Sequence, residues 1–335
     1  MPVDKDSGMS RRAFVRGAGA AAIGAGTHPG LAAQAAPETA AGELPRRVLG
    51  RTNLSLTCMT LGTAPAGIAK TISPQEVARV VNTALDLGIN SVDTSPKYGN
   101  AEEGVGLGLG RRRKDIILAT KVWADDVKDA EAKLAGSLKT LKTDYADLLY
   151  FHHLGNRDVK RARGADGVFT WLLGQKKAGK CRFVGISGHN LPGRFAPFLE
   201  TGEVDMILVK LNFVDCHTYD FEQKVLPIAR KHNTGIIAMK VFGGPDPATG
   251  SWGNPDCRAY VGSDNAALAI RYALSLPGVA SANLGVHNAE QVRQNVEIVK
   301  QFKPLSEDEQ TAAAALGKKL ANKWGEHFGP VNEPT

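Results

Sequence analysis

The stretch that decides the fold is "DIILATKVWADDVKDAEAKLAGSLKTLKTDYADLLYFHH", residues 115–153. It opens on an apolar run, "DIILATKV" (115–122). A helix-period segment follows, "DAEAKLAGSLKTL" (129–141), and then a second apolar run, "ADLLYFHH" (146–153). Both runs are near-continuous in apolar residues, the pattern of parallel strands covered by helices rather than of half-exposed ones.

The same unit recurs on either side. Further strand-like runs are "LTCMTLG" (56–62), "INSVDTS" (89–95), "CRFVGISG" (181–188), "DMILVKLNF" (205–213), "GIIAMKVF" (235–242) and "SANLGV" (281–286). Amphipathic segments between them include "SPQEVARVVNTALDLG", "FTWLLGQKKAGK", "EQKVLPIARKHN" and "DNAALAIRYALSL". Eight units over this length predict an α/β fold, a (β/α)8 TIM barrel. Ahead of them "RRVLGRTNLSLTCMTLGTA" reads as a β-hairpin turning at Thr52-Asn53. A doubly wound sheet is the alternative, but no dinucleotide fingerprint follows the first strand. Gly104, Gly106, Gly108 and Gly110 alternate strictly and follow no strand, so they read as a glycine-weakened helix.

In such a barrel the chemistry sits at the C-terminal strand ends, and here those ends are polar. Asp93 closes the run 89–95, with Tyr98 five residues on; Lys121 closes 115–122; His152 and His153 close 146–153. Ser187 is followed by His189 and Asn190, Lys210 and Asn212 lie in 205–213, and Lys240 in 235–242. An unpaired buried carboxylate is costly, so Asp93 needs a cation, and the neighbouring strand offers Lys121. Tyr98 is within reach of the same ammonium, which would favour its phenolate and lower its pKa toward the range useful for proton transfer. His152, one strand over, can complete a corner that holds a carbonyl oxygen. These groups move protons; they do not supply electrons.

"VDTSPKYG", "ILATK", "TDYADLLYFHH", "GKCRFVGIS" and "GVHNAEQVRQN" occur in the order and near the spacing of the aldo/keto reductases. The chain resembles that family over nearly all of its length after the N-terminal segment. The resemblance implies a barrel that binds NADP or NAD extended across its C-terminal face, without a Rossmann domain, and reduces aldehydes and ketones by hydride transfer. It implies catalytic roles for Asp93, Tyr98, Lys121 and His152. His152 is preferred over His153 because it lies five after Asp147. Cofactor contacts are implied at Ser187, Asn212, Lys240, Gly285, Gln291 and Asn295. "MKVFGG" (239–244) is similar to a subgroup motif that often accompanies an iron–sulfur module; with no cysteine after Cys257, that module is not expected.

The departures concern the nicotinamide end. Ser187 is followed by Gly188 where the family usually has Asn, and Leu208 and Leu211 stand where it usually has Gln and a stacking Tyr. His287 and Arg293 are the nearby candidates for a 2′-phosphate, which leaves NAD against NADP open. The segments 154–167 and 243–257 read as lid loops that set the substrate. Trp123 and Trp252 are expected as pocket walls for a sugar-like or aromatic carbonyl.

The chain has 335 residues, 43% apolar and 22% charged, with formal charge +7. Its basic residues are scattered, and "RRRK" (111–114) and "RDVKRARG" (157–164) read as solvated surface, so no nucleic-acid partner is expected. "MSRRAFVRG" followed by an Ala/Gly-rich run has the layout of an export signal, and Ser10, Arg11, Arg12 and Phe14 resemble the twin-arginine motif. Cleavage is expected near Ala33-Gln34-Ala35, giving a signal over 1–35, a linker over 36–45, the barrel over 46–320 and a tail over 321–335. The implied partners are the twin-arginine export machinery and a small carbonyl substrate, with a periplasmic location and no membrane span in the mature protein. Cys58, Cys181, Cys216 and Cys257 contain no C-x-x-C pair, so no metal site is expected; they read as small buried residues, with a Cys216–Cys257 bridge left open. Two other functions stay open. One is an exported barrel that has lost cofactor affinity and serves as a binding or accessory protein. The other is a cofactor-independent lyase or isomerase working through Tyr98 and Lys121.

Overall fold

A computed structural model describes residues 42–333. The expected export signal and most of the expected linker lie outside the described residues. The chain opens with an antiparallel hairpin, β1 (Arg46–Val48) and β2 (Ser55–Thr57). Eight parallel strands follow: β3 (Met59–Gly62), β4 (Ser91–Asp93), β5 (Ile117–Val122), β6 (Ala146–Phe151), β7 (Cys181–Gly188), β8 (Met206–Lys210), β9 (Gly235–Met239) and β10 (Val279–Gly285). They close in chain order, β10 pairing with β3, so the sheet is a barrel and not a doubly wound layer. The run 56–62 is divided between β2 and β3. Thr57 ends the hairpin, and the Cys58 amide donates to Pro45 O at 2.7 Å, turning the chain into the barrel.

Alternate residues along each strand face inward. Ile117 and Ala119 of β5, Leu148 and Tyr150 of β6, Met206 and Leu208 of β8 and Ile237 and Met239 of β9 fill the barrel as one apolar cluster. Leu49, Leu54 and Leu56 of the hairpin region join it, so the hairpin region plugs one end. Arg47 ties the hairpin down by donating to the carbonyls of Leu274 and Val279 at 2.8 and 2.7 Å. The outward residues meet the helices in a second, larger apolar layer.

The helices begin where their caps predict. Ser73 and Glu76 form a reciprocal capping box at Pro74–Asp86, and Asp126 caps Val127–Thr140. The alternating glycines fall on the helix Ala101–Leu109 and its end, as expected. A Cβ at Gly104 or Gly108 would strike Val77 or Val81, so the glycines let that helix lie close against Pro74–Asp86. The last helix, Glu307–Trp324, outruns the expected barrel boundary at 320, and the segment beyond it packs back onto the protein. Among the described residues no helix is long and apolar enough to cross a membrane.

Candidate active site

The register of the barrel brings the predicted residues together. Asp93 pairs with Ala119 across β4 and β5, and Lys121 lies two residues further along on the same inner face. Its ammonium reaches back to both Asp93 oxygens at 2.7 Å and to Thr94 O at 2.8 Å. Both side chains are almost wholly buried, 0% and 5% exposed, so the pair is shielded from solvent screening. Burial opposes the charge on Lys121, but Asp93 and Tyr98 outweigh it and raise its pKa.

Tyr98 is set by the turn after β4. Its amide donates to Ser95 O at 3.0 Å, and the next residue, Gly99, has φ +55°. A side chain at Gly99 would strike the Gly67 carbonyl, which instead accepts from the Asn100 amide at 3.1 Å. The loop is thereby locked against helix Ala64–Ile68, with the Tyr98 ring centroid 4.7 Å from Lys121 Nζ. The ammonium does pull the phenol pKa down, as the sequence predicts, but burial pushes it up more and Asp93 adds to that, so the net shift is upward. The expected lowering is corrected: the stable form is the neutral phenol, the form of a proton donor.

His152 follows β6, its ring 5.9 Å from that of Tyr98 and edge-on to it. Burial, then Lys121 and His153, hold its pKa well below the usual imidazole value, so it is neutral. Ser95 Oγ accepts from the Lys97 amide and lies 3.3 Å from His152 Nδ1. In the tautomer that carries its proton on Nε2, His152 Nδ1 accepts from the Ser95 hydroxyl.

These groups open onto a cavity of about 250 Å³. Asp93, Tyr98, His152 and both expected tryptophans, Trp123 and Trp252, line it. Lys240 and Gly285, two of the implied cofactor residues, line it too. Sequence reasoning missed Lys97 and Asn283 in its walls; the Asn283 side-chain oxygen is buried without a hydrogen bond. The lid loop 243–257 is latched where His287 Nε2 lies 3.2 Å from Trp252 O.

Four implied cofactor residues lie off this cavity. Ser187 is buried beneath it, its hydroxyl accepting from the His153 amide at 3.2 Å. Asn212 donates its amide group to Asp215 and to Lys240 O, and its oxygen accepts from the Val214 and Asp215 amides, so the side chain ties its own turn to the end of β9. Gln291 and Asn295 sit one helical turn apart on Ala289–Lys300, beyond Gly285, with the Gln291 oxygen accepting from the His287 amide at 2.7 Å. Leu208 is packed inside the barrel and Leu211 in the outer layer, so neither presents a polar or aromatic group to the mouth. All four cysteines are free. Among the described residues no group of histidine, cysteine and acidic side chains is arranged to hold a metal.

The sequence pattern of the Aldo/keto reductase family matches residues 58–246, more than half of the chain. The chain belongs to the aldo/keto reductase family. This aldo/keto reductase is 27% identical over 297 residues to L-galactose dehydrogenase of Arabidopsis thaliana, covering 79% of this chain and 91% of that enzyme. Over 163 residues it is 30% identical to methylglyoxal reductase DkgB of Escherichia coli O157:H7, covering 47% of this chain and 58% of that one. Its fold matches the holo form of an aldo-keto reductase from Bacillus halodurans with a TM-score of 0.66 at 24% identity, over 82% of this chain and 97% of that one. The protein is thus an oxidoreductase of this family built on a (β/α)8 barrel.

Proposed function

We propose that this reductase interconverts an aldehyde or ketone and its alcohol, using NADPH or NADH. The carrying observation is the buried Asp93–Lys121 pair beside Tyr98 and neutral His152, with Asp93, Tyr98 and His152 lining one cavity. The walls suit a nicotinamide dinucleotide: Lys240 offers a cation for phosphate, and the unpartnered Asn283 oxygen can accept from a carboxamide. When bound, that cofactor supplies the hydride. Tyr98 donates the proton to the carbonyl oxygen, and Lys121 then stabilises the phenolate that remains. Asp93 keeps Lys121 charged and aimed. His152 holds the carbonyl oxygen through Nε2, and Trp123 and Trp252 flank the rest of the substrate. L-galactose dehydrogenase by its name acts on a sugar and the methylglyoxal reductase on a small dicarbonyl. The two tryptophans favour a sugar-like or aromatic carbonyl here, since a ring face stacks on indole.

We also propose export through the twin-arginine route. Arg11→Lys together with Arg12→Lys should hold the protein in the cytoplasm, and unaltered export would overturn this.

The test of the activity is to strip the purified protein of small molecules and titrate it with NADPH and with NADH. Binding is followed by melting temperature and by Trp fluorescence. A rise in melting temperature with either, and carbonyl-dependent oxidation of the cofactor, support the reading. No shift at millimolar concentrations of both would leave the accessory barrel, which the apolar Leu208 and Leu211 favour.

A further inference from the structure

The most under-satisfied charge among the described residues is not in the catalytic cluster. Lys210 is the last residue of β8 and points inward, two residues after Leu208. Its side chain is 0% exposed, and its ammonium has no hydrogen-bond partner. Asp215 Oδ1 is 3.5 Å away and is itself without a hydrogen bond. The ammonium is instead enclosed by rings, the Tyr219 centroid at 2.8 Å and the Phe328 centroid at 4.5 Å. A buried ammonium without donors engaged is an expensive arrangement.

Phe328 belongs to the segment that follows the last helix. Trp324 stacks on Tyr260 with centroids 4.3 Å apart, and packs against Gly243, whose φ is +75°. From there residues 325–333 cross the ends of β7, β8 and β9. His327 Nε2 lies 3.2 Å from Gly243 O. The Phe328 amide donates to Tyr219 Oη at 2.8 Å, and that hydroxyl donates to Gly329 O at 3.1 Å. The Leu191 amide donates to Pro330 O at 3.2 Å, and Arg194 grips Glu333 at 2.5 and 2.6 Å. The segment is held by these polar contacts, and Phe328 and Val331 pack against the edge of the apolar core. The Phe328 ring stacks on His189, a wall of the cavity, and Lys240 Nζ is 5.4 Å from the same ring. Phe328 therefore stands between the cavity and Lys210.

We propose that residues 325–333 are a lid over a masked oxyanion site formed by Lys210 and Lys240, and that a phosphate-type anion entering the mouth takes the place of Phe328. The anion gives Lys210 the hydrogen bonds that the closed form denies it. Asp215 supplies the one opposing charge, so the site carries a net positive charge with both lysines protonated. The other groups that face it are Tyr219, His189 and His327. Burial lowers the Lys210 pKa to about 7 and that of Lys240 to about 8, because Asp215 only partly offsets it. Lys240 is also the cation offered to the cofactor above, so the lid site rests on that reading at its phosphate end, while the enclosure of Lys210 does not depend on Tyr98. The anion is a phosphate or diphosphate group, free or carried by a dinucleotide.

The test follows hydrogen exchange at the Phe328 and Leu191 amides, the two that the lid engages, in the full chain. Sodium pyrophosphate is compared with sodium chloride at equal ionic strength. Pyrophosphate should speed exchange at both amides about tenfold, and chloride should not. Lys210→Met should abolish the response. Glu333→Gln, which frees Arg194, should tighten pyrophosphate binding several-fold in calorimetry, because less closing energy opposes it. No response in either the wild type or Glu333→Gln overturns the lid site, as does equal pyrophosphate binding by Lys210→Met. NADPH as a second arm identifies the carrier. A shift with both ligands assigns the group to a dinucleotide. A shift with pyrophosphate alone supports the lid site while counting against the reductase reading, so the two fail separately.

Discussion

Lys121 and Lys210 occupy equivalent places in one barrel. Each lies at the C-terminal end of a parallel strand, points inward and is 1% exposed. Lys121 meets two carboxylate oxygens and a carbonyl within 2.8 Å, and its pKa is raised. Lys210 has only Asp215 Oδ1 at 3.5 Å, beyond good hydrogen-bond length, and burial outweighs that carboxylate and takes its pKa down to about 7. The difference teaches that burial does not by itself decide the charge of a lysine; the partners it finds there do. At Lys121 the charge is fixed and can serve Tyr98. At Lys210 it is conditional, and a bound anion or an open lid changes it.

The largest effect should come from breaking the satisfied pair. Lys121→Met leaves Asp93 buried without a cation, which typically costs about 3–5 kcal/mol. We expect a much lower midpoint in denaturant melts and loss of activity. A midpoint like the wild type's would mean that the Asp93 carboxylate does not depend on Lys121.

Lys210→Met should do the reverse of what a buried-lysine deletion usually does. The wild-type lysine is less protonated folded, with a pKa of about 7, than unfolded, near its ordinary 10.5. Between those pH values the unfolded chain binds more protons, so this lysine makes stability rise with pH by at most ~1.4 kcal/mol per unit. Lys240 contributes in the same sense between about 8 and 10.5. Replacing Lys210 should therefore flatten the stability–pH profile between pH 7 and 10, the variant gaining most on the wild type at the acid end of that window. A profile that keeps its wild-type slope would show that Lys210 stays charged in the fold. Smallest of all, Glu333→Gln removes an ion pair whose carboxylate is 57% exposed. Such pairs are worth about 0–1 kcal/mol, so the melt should barely move even though the lid loosens.

Why one lysine was legible and the other was not is a matter of distance along the chain. Asp93, Tyr98 and Lys121 lie within one crossover unit, and strand ends mark them in the sequence. The inward face of Lys210 was also readable, since it keeps the alternation of Met206 and Leu208. Its enclosure was not, because Tyr219 reaches it from the loop after its own strand and Phe328 only after a segment more than a hundred residues downstream folds back. The Tyr98 pKa failed for a related reason. The sequence shows which charges are near, but not how much water is excluded, and at Tyr98 burial outweighs the ammonium. Asn212 shows a third limit: its position in the chain matched, yet its four hydrogen bonds go to its own turn and to Lys240 O. The eight strands themselves were read with small boundary shifts, because long apolar runs between amphipathic helices leave few alternatives.

The most direct test of the central claim, that the Asp93–Lys121–Tyr98–His152 corner moves the proton in carbonyl reduction, is a single-turnover experiment. Cofactor-loaded wild type and Tyr98→Phe are mixed with a reactive aldehyde, and loss of nicotinamide absorbance is followed. Removing one general acid typically costs ~10²–10⁴-fold, and the phenylalanine keeps the ring over Lys121. Tyr98→Phe should be slower by that factor with unchanged cofactor affinity and melting temperature; equal rates for the two proteins would show that Tyr98 does not donate the proton.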